Sequence, residues 1–327
     1  SAITTAKDTT LKLNSHDMTI TANSGDGIAT TGGTLTVQDA GIFAVTGAKA
    51  INANNSKVDI TAVNATLNGD VTTNNAVTIK ATKAAKVNGA VSANGANSSV
   101  SINGGKATTV TGAVNADGAN AAVTVDSADT TIGSDITANG KGAKVTAKNL
   151  SKLDGDVATD DDGSVELNFK EGASWTGNNS GNTTMSLSKG TWNGDNTGKL
   201  NATLTNGTNW TGDSSGAGLS LAANSSKWNG STSTAGSATL TNGSIWTGVS
   251  TSADFALTLN GSTWNNSGAS SLKNFAATNG IVDMTNAAAS VTIGSYSGDA
   301  TVIYKHNSSN PGEVYGGNFT VNSAKNG

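Results

Sequence analysis

Cysteine and arginine are absent from the 327 residues, proline occurs once, and aromatic residues make up 4 %. Each shortage excludes something. Without cysteine, neither disulfides nor thiolate metal centres can hold the chain together, so stability has to come from packing and backbone hydrogen bonding. Every basic residue is lysine and the net charge is −4. The bidentate guanidinium contacts that nucleic-acid binding favours are therefore missing, and nucleic acid is not an expected partner. No apolar run approaches the roughly eighteen residues that a membrane-spanning helix needs.

What is present is glycine, 41 residues of it, with threonine, asparagine, serine and alanine filling most of the rest. Polar tracts of this kind are often disordered, because they bury too little apolar surface to offset chain entropy. Here, however, aliphatic residues recur at alternate positions, as in Val77-Ile79, Val100-Ile102, Val123-Val125 and Val165-Leu167. Alternation of that kind predicts half-buried strands.

The strands repeat. All six tryptophans, Trp175, Trp192, Trp210, Trp228, Trp246 and Trp264, lie in one stretch, separated by one step of seventeen residues and four of eighteen. Five are followed by Thr-Gly or Asn-Gly, and Trp264 by Asn265-Asn266. A second unit precedes them: Leu67-Asn68-Gly69-Asp70-Val71, Val87-Asn88-Gly89-Ala90-Val91, Val110-Thr111-Gly112-Ala113-Val114, Ile132-Gly133-Ser134-Asp135-Ile136 and Leu153-Asp154-Gly155-Asp156-Val157, at steps of 20, 23, 22 and 21. Short strands occupy residues 1 to 66 as well, without a clear period.

Two strand-rich repeats with no helical pattern between them predict an all-β fold, a right-handed single-stranded parallel β-helix of roughly 15 rungs. At about 4.8 Å per rung this gives a rod of roughly 70 to 75 Å. The expected division is 1–168 for the first repeat type, 169–282 for the tryptophan-marked rungs, and 283–327 for a terminal cap. In that last region the repeat decays, aromatic density rises and Pro311 occurs. One detail resists a uniform rung. Leu187, Leu221, Leu257 and Leu259 lie an odd number of positions before the next tryptophan, whereas Leu200, Leu204 and Leu240 lie an even number. Parity decides which face of a strand a side chain takes. Either the intervening corner differs by one residue in successive rungs, or the true unit is a pair of unlike rungs.

The rungs from Ser174 to Asn266, then Gly280-Ile281-Val282-Asp283-Met284, Ile293-Gly294-Ser295-Tyr296-Ser297-Gly298 and the closing Phe319-Thr320-Val321-Asn322-Ser323-Ala324-Lys325-Asn326-Gly327, resemble the C-terminal half of pertactin-like passenger domains of bacterial autotransporters. The resemblance covers about half the chain. It implies export across the Gram-negative outer membrane to the cell surface through a C-terminal barrel, which would be the only membrane element and does not follow Gly327. It also implies that the last rungs assist folding during export, and that the passenger acts as an adhesin or self-associates. The first half matches no subfamily.

Several residue groups are candidates for function. The tryptophan ladder reads first as a buried structural column and second as an exposed strip for stacking sugars. Gly212-Asp213-Ser214-Ser215-Gly216 is similar to the surroundings of a protease serine, but Gly194-Asp195-Asn196-Thr197-Gly198 occupies the same place one repeat earlier. A triad also requires a histidine, and only His16 and His306 exist, near opposite ends of the expected rod. Asp154, Asp156, Asp160, Asp161 and Asp162 form the densest acidic group, read as a solvated junction, with Ca²⁺ binding or paired-carboxylate glycosidase chemistry as sharper alternatives. Lys80, Lys83, Lys86 and Lys106, and further on Lys141, Lys144, Lys148 and Lys152, could form basic strips for sulfated glycans or for the acidic patch of another copy. A flat Thr-x-Thr face for ice binding is excluded, because pairs such as Thr19-Thr21 and Thr34-Thr36 do not continue. The expected function is that of a non-enzymatic adhesin that needs no cofactor or metal. It would bind another copy of itself, a host matrix protein or a glycan through polar faces. A polysaccharide-active enzyme using residues 154–162 is the alternative.

Overall fold

The computed structural model describes residues 1–160, 162–306, 308–310 and 312–325. The chain is all-β, a right-handed parallel β-helix of about 14 turns. It comprises two compact units, Ser1–Lys170 with Gly181–Thr184, and Glu171–Ser180 with Met185–Gly327.

In the first unit each coil has three sides. One side stacks Ser99–Gly104 on Ala122–Ser127, the next Ala107–Val110 on Thr130–Ile132, and the third Val91–Asn94, Val114–Asp117, Ile136–Asn139 and Val157–Thr159. The strands pair in parallel and in register, so like residues form columns. Val77, Val100, Val123 and Val145 make one, and Val91, Val114, Ile136 and Val157 another. All eight are buried. The first repeat unit is the corner between two sides, with its outer aliphatic pair, such as Val87 and Val91, turned inward. Its glycine is required by close approach: a Cβ on Gly89 would lie 2.4 Å from the Gly69 carbonyl carbon, and one on Gly112 would lie 2.5 Å from that of Gly89. Outside this column the Asn88 amide donates to Asn68 Oδ1 at 2.7 Å.

In the second unit Lys199–Thr205, Gly218–Asn224, Gly236–Thr241 and Phe255–Asn260 form one side. The short tryptophan strands form the second, and single bridging residues, Asn179, Asn196, Ser214, Thr232 and Ser250, form the third. All six tryptophans are at most 1 % exposed. Their rings stack at centroid separations of 4.5, 4.5, 4.8, 4.9 and 5.1 Å with planes 3° to 8° apart. Near-parallel rings at these separations lie at the short end of the roughly 4.5–7 Å range of favourable aromatic pairs. A buried indole N–H needs an acceptor, and the glycine of the preceding rung supplies it. Trp192, Trp210, Trp228, Trp246 and Trp264 donate from Nε1 to the carbonyls of Gly177, Gly194, Gly212, Gly230 and Gly248 at 2.8 to 3.0 Å.

The parity question has a structural answer. Leu204, Ala223, Leu240 and Leu259 stand in one register column, and the tryptophans in another. The corner between the two columns is alternately Asn206-Gly207-Thr208, Ser225-Ser226, Asn242-Gly243-Ser244 and Gly261-Ser262. Three-residue corners place Asn and Gly in succession in the left-handed region (φ 57° and 88°, then 56° and 76°), whereas the two-residue corners have one such residue each, Ser225 at 49° and Gly261 at 54°. A compensating difference follows the bridge column, since Leu200 and Leu219 pair although they lie four and five positions after Asn196 and Ser214. The eighteen-residue step is thereby conserved while successive rungs differ, so both expectations hold together.

In the terminal region Ser290–Ile303 pairs in parallel with Phe319–Val321 and Ala324–Lys325, and Lys305–His306 pairs antiparallel with Val314–Tyr315. Asn307, Pro311, Asn326 and Gly327 lie outside the described residues.

Candidate functional site

The acidic group divides between two corners. Asp154 and Asp156 flank the corner glycine Gly155, and Asp154 pairs with Lys152 at 3.1 Å. The Asp156 N–H donates to Asp135 Oδ1 at 2.8 Å. Beyond the strand Val157–Thr159, Asp160 works as a turn cap: its Oδ1 accepts from Gly163 N–H at 2.8 Å and its Oδ2 from Gly140 N–H at 2.5 Å. Asp162 is exposed, and its backbone carbonyl accepts from Gly142. Asp161 lies outside the described residues. Among the described residues no three His, Asp or Glu side chains come together as a metal ion would require.

The lysines behave in two ways. Lys144, Lys148 and Lys170 bridge to carboxylates on other coils, Glu166 at 2.7 Å, Asp126 at 3.4 Å and Asp129 at 2.9 Å. The lysine strip leading to the acidic group is thus largely paired within the chain, whereas Lys141 forms no ion pair among the described residues. Glu166 is held below its usual carboxylate range by the hydrogen bond from Lys144 and then that from Asn168. Asp129 is likewise lowered, first by Ser151 and then by Lys170. Lys80, Lys83, Lys86 and Lys106 are exposed and form no ion pair among the described residues. Lys83 and Lys106 occupy one corner on successive coils, joined by a backbone bond from Lys106 N–H to the Lys83 carbonyl. Lys86 stands on the next side of the coil.

The serine of Gly212-Asp213-Ser214-Ser215-Gly216 is 1 % exposed, and its Oγ accepts from Asn196 Nδ2 at 3.0 Å. It belongs to the buried bridge column, in which Asn179 Nδ2 also donates to Asn196 Oδ1. Neither histidine bonds to it among the described residues. The His16 ring lies 2.9 Å from the Leu13 carbonyl in the other unit, and His306 lies in the terminal antiparallel pair.

One outward face of the first unit escaped the sequence reading. Asn52, Thr72, Ser92, Asn115 and Thr137 are in register. Asn115 donates to Ser92 Oγ at 3.2 Å and Thr137 donates to Asn115 Oδ1 at 2.8 Å. The Thr72 hydroxyl is buried without a hydrogen-bond partner among the described residues, in a hollow of about 150 Å³ that Lys49, Asn52, Asn74 and Asn94 also line. Beside this column Asn54, Asn74, Asn94 and Asp117 are exposed. The signal available in the sequence was the polar residue one and three places beyond an inward aliphatic, Asn52 and Asn54 after Ile51 and Ser92 and Asn94 after Val91. No motif marks it.

Fold and surface together define a parallel β-helix whose outward columns are carboxamides, hydroxyls, carboxylates and lysines. Comparison with protein-family models, with curated proteins and with solved structures returns no match to this chain.

Proposed function

We propose that this chain is the passenger of a Gram-negative autotransporter, displayed at the cell surface, where it serves as an adhesin. The observation that carries this reading is the exposed column Asn54, Asn74, Asn94 and Asp117 beside Asn52, Thr72, Ser92 and Asn115. These groups recur once per coil, so a partner with its own regular hydrogen-bonding groups meets many weak contacts at one spacing. Each contributes about 0.5 to 1.5 kcal/mol net, and repetition along one face and over many molecules on a cell turns this into avidity. The partner is another copy of the chain on a neighbouring cell, or a host matrix protein or glycan. The reading assigns no catalysis; in the polysaccharide-enzyme alternative, which draws on the acidic cluster at 154–162, the Asp160 carboxylate is already occupied by backbone amides.

The test is display of the chain on cells that do not otherwise clump, scored for aggregation and for adhesion to matrix proteins and glycans. Wild-type chain is expected to promote one or both. Replacing Asn54, Asn74, Asn94 and Asp117 together by alanine is expected to reduce the effect at least tenfold with display level unchanged. Cells that neither clump nor adhere would overturn the proposal.

A further inference from the structure

A notch in the first unit, separate from the polar face above, arises from unequal corners. Leu11, Val37, Ile60, Ile79 and Ile102 share one register column, and Met18, Phe43, Ala65, Ala85 and Thr108 share the next. Between these fixed columns the chain runs through 12–17 in the first coil, 38–42 in the second, 61–64 in the third, and 80–84 and 103–107 in the next two. The third corner is the shortest, so its residues sit recessed between longer neighbours. The result is a concavity of about 550 Å³ lined by Asn14, Ser15, Asp39, Thr61, Val63, Lys80 and Thr82, with Ala40 and Ala62. That volume falls in the range of small-molecule sites, roughly 300–1,000 Å³.

The lining has a definite chemical character. Ala40 and Ala62, 1 % and 5 % exposed, and half-buried Val63 give small, flat apolar surface. The Asn14 amide, the Asp39 carboxylate, the Lys80 ammonium and the Thr82 hydroxyl are exposed, and none makes a side-chain hydrogen bond or ion pair among the described residues. Asp39 is held in place by its backbone: φ is 53°, and its N–H donates to Thr61 Oγ1 at 3.2 Å, which itself donates to the Val37 carbonyl at 3.2 Å. An anionic ligand would meet the Asp39 carboxylate, and a cationic one the Lys80 ammonium. A hydroxyl satisfies both, because it donates to a carboxylate and accepts from an ammonium. A ring with an apolar C–H face and a hydroxyl-rich edge matches floor and rim together.

We infer that this notch binds a neutral saccharide of two or three rings, with Asp39 and Lys80 taking hydroxyls of one ring and Ala62 and Val63 supporting its C–H face. The inference deepens the adhesin reading by naming a ligand class and relies on that reading only for its biological use. Saturation-transfer NMR and calorimetry on the whole chain, with lactose, maltose, cellobiose and chitobiose as probes and digalacturonate as an acidic control, test it. At least one neutral probe should bind in preference to the acid. Asp39→Asn keeps a residue that tolerates the left-handed region, and with Lys80→Gln it should weaken binding at least tenfold with the thermal midpoint unchanged. Val63→Trp should fill the notch and abolish binding. Binding of none of the neutral probes, preference for the acid, or binding by both variants equal to that of the wild type would overturn the inference. Clumping or matrix adhesion by cells whose chain binds no neutral sugar leaves the adhesin reading standing and removes this one. Sugar binding lost on notch substitution, without any clumping or adhesion, does the reverse.

Discussion

Gly212 illustrates how one residue type sets the geometry of the second unit. A Cβ there would lie 2.0 Å from the Gly194 carbonyl oxygen, φ is +151°, and its own carbonyl accepts the Trp228 indole N–H at 3.0 Å. Gly194, Gly230 and Gly248 would each place a Cβ 1.9 Å from the glycine carbonyl of the rung before. The Trp-x-Gly motif is therefore one device: the glycine lets successive backbones approach closely enough for its carbonyl to receive the next indole. Gly212→Ala should destabilise this unit by about 2–4 kcal/mol, combining overpacking with a weakened buried hydrogen bond. Urea unfolding followed by tryptophan emission checks it, and an unchanged midpoint would refute the coupling. The spacing of tryptophan and glycine was legible in the sequence. Their coupling was not, because the indole of one rung bonds to the glycine of the rung before it, sixteen positions back in most cases.

At the scale of the element, corner length is what the strands tolerate and parity is what they do not. Corners of two and three residues alternate on one column of tryptophans without disturbing either neighbouring register. Deleting Gly243 would turn Asn242-Gly243-Ser244 into a two-residue corner like Ser225-Ser226. Loop length enters stability only weakly, so this deletion should cost less than about 1 kcal/mol, with tryptophan emission still blue-shifted. Deleting Thr239, inside the strand Gly236–Thr241, should instead reverse the faces of the residues beyond or before it, exposing Leu240 or Ala238, both of which are buried. A thermal scan of the two deletions decides the matter, and equal damage from both would sink the argument. The same tolerance explains what the sequence concealed. Residues 1 to 66 show no clear period because their corners run through 12–17, 38–42 and 61–64 between fixed columns. The notch is a product of that irregularity, assembled from residues 14 to 82 that share no motif. The fold class was readable because inward aliphatic columns survive any corner length, whereas a site made by corner length leaves no periodic trace.

At the scale of the whole molecule, the tryptophans and the two carboxylates with lowered pKa fall in different units. All six tryptophans lie in the second unit, whereas Asp129 and Glu166, the carboxylates held below their ordinary values of 3.8 and 4.5, lie in the first. A group whose folded pKa is depressed contributes stability that is present above its unfolded pKa and lost as pH falls through the folded one. The loss from these two carboxylates therefore begins below about pH 4.5 and continues below pH 3.8. Both side chains are more than a third exposed, at 43 % and 36 %, so solvent screening keeps each contribution within the roughly 0–1 kcal/mol of a surface pair. Lowering the pH from 7 to 3 should move the unfolding of the first unit, followed by far-ultraviolet circular dichroism, to lower urea. In the Asp129→Asn, Glu166→Gln double variant the midpoint at pH 7 should already be lower, and its further fall on acidification smaller. A variant that loses as much on acidification as the wild type would show that these ion pairs do not set the acid response. Tryptophan emission followed in the same samples reports the second unit, where the indoles hydrogen-bond to backbone carbonyls that do not titrate. Its blue-shifted position at pH 3 in the absence of urea is the internal control that ties the acid effect to the charged corners.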